Sequence, residues 1–149
     1  MERNSILYQQ YLAILKEELR PAMGCTEPIA LAYAGALAKK LLGADPERVQ
    51  VAVSGNIIKN VKSVVVPNTG GLRGIAAAVC AGIIAGDAEK ELQVISEVSL
   101  EQQTQLRHFM DTVNCTIMPS DSSLVFDIDI TLLRGDESAR VRIVNHHTN

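Results

Sequence analysis

Cys25 lies in the run Pro21-Ala22-Met23-Gly24-Cys25-Thr26-Glu27-Pro28, between a glycine and a candidate helix N-cap, just ahead of a long apolar stretch. Backbone N–H groups at a helix start carry partial positive charge, which favours a thiolate over a thiol. A thiolate can ligate a metal or an iron–sulfur cluster, or attack an electrophile. A buried cysteine can also do no more than fill a tight turn. The residues alone leave all three fates open. Cys80, within an Ala/Ile/Val pattern, and Cys115, beside Thr116 and Ile117, read as small core hydrophobes. No two of the three cysteines have the C-x-x-C spacing of zinc ribbons or redox motifs.

Two loops could supply further polar groups. Ser54-Gly55-Asn56, with Lys59 and Asn60 close behind, follows a strand pattern, and Pro67-Asn68-Thr69-Gly70-Gly71 precedes a helix pattern. Side chains of Ser54, Asn56, Asn68 and Thr69, with nearby backbone amides, could grip a carboxylate or amine. The same residue types dominate ordinary turns, which is the competing reading. Neither loop matches a dinucleotide-binding or P-loop pattern. His146 and His147 are adjacent, so on a strand they face opposite sides and do not share one metal without distortion. His108 reads as a residue of a solvated helix face.

These groups need elements to position them. Leu7, Tyr11, Ile14, Leu15 and Leu19 recur at helical spacing, which predicts an amphipathic helix over 5–20 ended by Pro21. A second helix, capped by Thr26, runs to about Leu42, and a third covers Leu72 to about Ala85. Both are small and apolar nearly all round, hence buried. Ser99 caps a fourth helix, Leu100 to Thr112. Val49–Val53, a short piece at Val64–Val66, Val113–Met118, Leu124–Leu133 and Ala139 to beyond His146 read as extended. The expected fold class is α+β: small-residue helices packed on a mainly antiparallel sheet, in a single domain over 1–149.

The last two strands allow a sharper expectation. Phe126, Ile128, Ile130 and Leu132 share one face, and Asp127, Asp129 and Thr131 share the other. A hairpin that preserves both faces needs an even loop. A two-residue Arg134-Gly135 loop sets Asp127 opposite Arg142 and Asp129 opposite Arg140, whereas a four-residue loop keeps the faces and shifts the partners. These acids are expected to be paired on a structural solvent face and not to form a catalytic dyad.

Composition limits the function classes. The 149 residues carry a net charge of −3, with 21% charged and 47% apolar residues, so the chain is globular and not disordered. A nucleic-acid footprint needs clustered Lys and Arg, and none is present. The longest apolar runs, Pro28–Ala38 and Gly74–Gly86, fall short of the ~20 residues that span a bilayer. With no signal-peptide pattern and an odd cysteine count, the expected compartment is a reducing cytoplasm. A strand pattern is still running at Asn149, which suggests the N-terminal portion of a longer protein.

PAMGCTEPIALAYAGALA, VSGNIIKNVKSVVVPNTGGLRGIAAA and the closing NHHTN resemble the L-cysteine desulfidase family, related to the alpha chain of iron–sulfur L-serine dehydratases. That resemblance implies a [4Fe–4S] cluster held by three cysteines, with Cys25 as the N-terminal ligand and the others in a C-terminal half absent here. It implies β-elimination from L-cysteine, giving sulfide, pyruvate and ammonia. Ser54, Asn56, Asn68 and Thr69 would hold the amino acid, and Lys59 and His147 would act as base or charge partner. This piece alone is expected to be inactive, with Cys25 a free thiol. The other readings are an L-serine dehydratase-like deaminase, a hydrolase or transferase using Cys25 as nucleophile, and a small-ligand binding or assembly module. An edge left by the missing half offers a route to a homo-oligomer.

Overall fold

The structure is a computed structural model that describes residues 8–15, 27–120 and 126–145. Its first element is a correction. Residues Tyr8–Leu15 form a strand, β1, where helical spacing predicted a helix over 5–20. The segment lies parallel along β5 (Glu137–Asn145), with Tyr8 beside Ser138 and Leu15 beside Asn145. Tyr, Leu and Ile fit a pleated surface well, and the edge of β5 offers a full ladder of backbone partners. Long-range pairing has overridden a local helical period.

Helix α1 runs Glu27–Leu42, with Glu27 in the first turn and Lys39 and Lys40 in the last, as the helix dipole favours. Strand β2 (Arg48–Val53) leads into a short helix α2 (Gly55–Val61), where the sequence pattern predicts a strand end and a loop. An isolated bridge pairs Val65 with Arg73, closing the 67–71 turn ahead of α3 (Gly74–Ala85). A 3-10 segment, Ala88–Gln93, is kinked at Glu91. Helix α4 (Leu100–Thr112) has the expected Ser99 cap. The Gln102 N–H donates to Ser99 Oγ at 3.0 Å, and Gln102 Oε1 accepts from the Ser99 N–H at 3.0 Å. Strands β3 (Asn114–Pro119) and β4 (Asp127–Arg134) complete the sheet.

The α+β class is therefore as expected. Strand order is β1-β5-β4-β2-β3. The three central strands are antiparallel, while β1 and β3 join the edges in parallel. A parallel neighbour needs a crossover, and α2, α3 and α4 provide it between β2 and β3. Helices α1 and α3 form the layer over one sheet face, with α4 outside on α3. The side chains of Val49, Val51, Ile128, Ile130, Leu132 and Val141 on that face are fully buried.

Small residues let the two central helices approach closely. A Cβ added at Gly82 of α3 would run into the Ala32 carbonyl of α1, and one at Gly35 would lie 2.5 Å from the Val79 carbonyl oxygen. This explains why both helices are poor in large side chains. Their apolar character all round reflects burial between the sheet and neighbouring helices.

The β4–β5 hairpin keeps both expected faces but shifts the register by two. Its turn is Gly135-Asp136, with Gly135 at φ 56°, so Arg134 pairs with Glu137. Asp129 thus lies opposite Arg142, and Asp127 opposite Val144. The ion pairs nevertheless join the residues expected, because each guanidinium reaches diagonally. Arg140 Nε and Nη2 donate to Asp129 at 2.9 and 2.6 Å, and Arg142 Nε and Nη2 donate to Asp127 at 3.1 and 2.8 Å.

Candidate functional site

Cys25 and His147 lie outside the described residues. The structure places the start of the helix that follows Cys25. There Asn60 Nδ2, from α2, donates to Glu27 Oε2 at 3.5 Å. Helix α2 buries Ile57 and Val61 and exposes Asn56, Lys59 and Asn60, which share one side at i, i+3 and i+4 spacing. Two of the expected site residues, Asn56 and Lys59, therefore lie on the exposed side of the element that contacts the first turn of α1.

Ser54 is placed differently. It is buried, and its hydroxyl accepts the Asp127 N–H at 3.3 Å while its own N–H donates to the Asp127 carbonyl at 3.0 Å. Ser54 is the N-cap residue of α2, yet its side chain makes no capping bond there. Its carbonyl does receive the N–H groups of Ile57 and Ile58. Ser54 thus binds β2 to the start of β4.

Asp127 corrects a second expectation. Strand alternation predicts a solvent face for it, but its side chain is only 2% exposed, against 19% for Asp129. Its carboxylate receives Arg142 on both oxygens, and the Ser120 hydroxyl donates to it at 3.5 Å. Asp127 in turn raises the pKa of the Arg142 guanidinium above its ordinary value, chiefly through their hydrogen bonds. Sequence reasoning expected the Asp127–Arg142 pair but missed that Ser54 and Ser120 join it and that Asp127 is buried. The signal for the Ser54 contact is that Ser54 and Asp127 both stand at strand ends, where β2 and β4 are neighbours.

Asn68 and Thr69 are committed to their own turn. Asn68 adopts φ 63°, its Nδ2 donates to the Ile95 carbonyl at 2.8 Å, and its carbonyl accepts Gln103 Nε2 at 3.1 Å. Thr69 is fully buried. Its hydroxyl donates to the Val66 carbonyl at 2.7 Å and accepts the Leu72 N–H at 3.1 Å. The turn reading describes these two residues. Asn68 is tied toward α4 through Gln103 and Thr69 to its own turn, whereas Ser54 is tied to the start of β4.

On the sheet face opposite the helices, Gln50, Ala52, Met118, Asp129, Thr131 and Arg140 line a cavity of about 260 Å³. Among the described residues, no group of three His, Cys, Asp or Glu side chains is placed to hold a metal ion. Cys80 is buried within α3, Cys115 is half-buried on β3, and both are free thiols. The described residues therefore do not by themselves fit a [4Fe–4S] cluster. No described helix is long and apolar enough to cross a membrane.

These features define an α+β chain with a polar patch where α2 meets the start of α1, and an enclosed acid–arginine pair at the sheet end. Its sequence is similar to a UPF0597 protein of Desulfitobacterium hafniense (strain Y51), 52% identical over 149 residues, covering 100% of this chain and 35% of the relative. A UPF0597 protein of Fusobacterium nucleatum is 46% identical over 143 residues, covering 95% and 33%. One of Treponema denticola is 42% identical over 145 residues, also covering 95% and 33%. The chain spans about a third of the length of these relatives. No family model matches the chain, and no solved structure matches it. These relatives correct the resemblance to L-cysteine desulfidases. Their matches run through the motif-bearing stretches, yet they are named UPF0597 proteins and none is named a desulfidase. A shared stretch of chain carries a fold before it carries a reaction.

Proposed function

We propose that this chain is the N-terminal part of an iron–sulfur-dependent amino-acid lyase that eliminates the β-substituent of L-cysteine. The products would be sulfide and aminoacrylate, which hydrolyses to pyruvate and ammonia. The observation that carries the reading is the Glu27–Asn60 contact, which seats the Asn56/Lys59 side of α2 against the helix start that follows Cys25. A thiolate at such a start is a suitable iron ligand. The further ligands would come from the two-thirds of the relatives' length that this chain does not span. A cluster held by Cys25 and those ligands would supply Lewis-acid chemistry toward a leaving sulfur.

The chain's own residues take simpler roles. Asn56 and Asn60 present amides to the substrate carboxylate or amine. Lys59 or His147 receives the Cα proton. Ser54, bound to Asp127, positions α2, and Asn68 and Thr69 hold the turn ahead of α3. Such a protein works in a reducing cytoplasm on a small amino acid, and an uncovered sheet edge would allow it to form a homo-oligomer.

The test is anaerobic reconstitution of a full-length protein containing this chain. Broad visible absorption with sulfide release from L-cysteine is expected, and Cys25→Ala should abolish both. Lys59→Gln should lower turnover at least tenfold while leaving the absorption in place. Pyruvate from L-serine but not from L-cysteine would make it a deaminase. Ligand-dependent thermal stabilisation without turnover would replace the lyase with a binding module.

A further inference from the structure

Strand β3 stands at one edge of the sheet and lies parallel to β2. Two bonds frame that ladder. The Asn114 N–H donates to the Glu47 carbonyl at 3.3 Å, and the Ser120 N–H donates to the Val53 carbonyl at 2.8 Å. Backbone groups alternate in direction along a strand, so Asn114, Thr116 and Met118 turn theirs toward β2. Cys115 and Ile117 turn their N–H and C=O groups outward, and Pro119 turns its carbonyl the same way. Among the described residues no strand lies along that outer side.

The side chains of this edge are uncovered too. Ile117, beside Val51 on the helix-covered face, is 37% exposed, and Met118, beside Ala52 on the other face, is 43% exposed. The strand, Asn114-Cys115-Thr116-Ile117-Met118-Pro119, contains no charged residue. Edges that stay in water are ordinarily blunted by charge, bulges or proline. Pro119 does this only at the last position. The edge therefore offers N–H donors at Cys115 and Ile117 and acceptors at Cys115, Ile117 and Pro119, between apolar side chains on both faces. Such a row of groups recognises another extended chain.

We propose that the outer edge of β3 docks an extended, largely apolar segment from the part of the full-length polypeptide that this chain does not span. This chain covers about a third of its relatives' length, so a protein of their size holds most of its residues elsewhere. A segment on the same polypeptide meets the edge at an effective concentration that reaches the order of millimolar, whereas a second copy competes only at its bulk concentration. The incoming strand accepts from the Cys115 and Ile117 N–H groups and donates to the carbonyls between Cys115 and Pro119. Its alternate side chains cover Ile117 on one face and Met118 on the other. Pro119, with no N–H, ends the added ladder. The outer side of β1 is then the remaining edge of the sheet.

The test uses a full-length protein containing this chain, without substitution. Hydrogen exchange is read residue by residue by mass spectrometry with electron-transfer fragmentation. The Thr116 and Met118 amides bind β2 and serve as slow internal references. The Cys115 and Ile117 amides should exchange at least about a hundredfold more slowly than in the unfolded chain. Photo-methionine at Met118, in a mixture of light and heavy isotope-labelled protein, should cross-link on illumination to a peptide from outside this chain's residues, light to light and heavy to heavy. Unprotected exchange at Cys115 and Ile117 overturns the proposal. So does a Met118 cross-link that joins light to heavy protein, which makes a second copy the occupant. The lack of any cross-link outside this chain's own residues overturns it as well.

Discussion

The two faces of strand β4 differ in how their burial is achieved. Toward the helices, Ile128, Ile130 and Leu132 are fully enclosed by α1, α3 and the neighbouring strands' apolar side chains. On the other face, Asp127 is almost as enclosed, but its partners are Arg142, Ser54 and Ser120. Asp129, two residues along, keeps 19% of its side chain in solvent with Arg140 as its partner. One face is held by removing apolar surface from water, without regard to direction. The opposite face is held by aimed groups, and the strength of that aim falls from Asp127 to Asp129 as water gains access.

The contrast can be broken in order of effect. Ile130→Ala, on the helix face, should cost about 4 kcal/mol in denaturant unfolding, because the rigid helix layer cannot collapse into the cavity. Asp127→Ala should cost about 2 kcal/mol, since it strips Arg142 of both bonds in an enclosed site while that guanidinium keeps a route to solvent. Asp129→Ala should cost less than about 1 kcal/mol, and added salt should shrink the difference from the natural chain further. An Asp129 effect equal to that of Asp127 would remove the proposed gradient. An Asp127 effect larger than that of Ile130 would reverse which face dominates.

The hairpin shows what the sequence could convey. Alternation of Ile128, Ile130 and Leu132 with Asp127, Asp129 and Thr131 specified the faces, while the ion-pair partners expected from an Arg134-Gly135 loop are met through diagonal reach across a different register. Register depended on whether Arg134 sat in the turn or in the ladder, a choice made by backbone geometry at Gly135. Residues 8–15 misled because Tyr and Leu spacing suits a helix and a strand alike, and only the distant β5 decides between them. Helix α2 was missed because Gly55-Asn56 resembles turn chemistry, although Ser54 at its start is of the common N-cap type.

The candidate site was legible in part for a related reason. Residue type shows what Thr69 could bind but not that Val66 and Leu72 already occupy its hydroxyl. Asn56 and Lys59 keep an exposed side because Ile57 and Val61 take the buried one, a pattern visible in hindsight over a single short helix. Asp127 was read as exposed because alternation gives direction without saying what lies above a face.

The parallel pairing of β1 with β5 also bears on the order of events during synthesis. Tyr8–Leu15 leaves the ribosome well before Glu137–Asn145, the strand it lies against. Until β5 emerges, that early segment has no ladder to join, and its helical spacing offers it a local alternative. Closing the contact late adds a slow, long-loop step to folding, and the waiting strand is open to pairing with a neighbouring nascent chain.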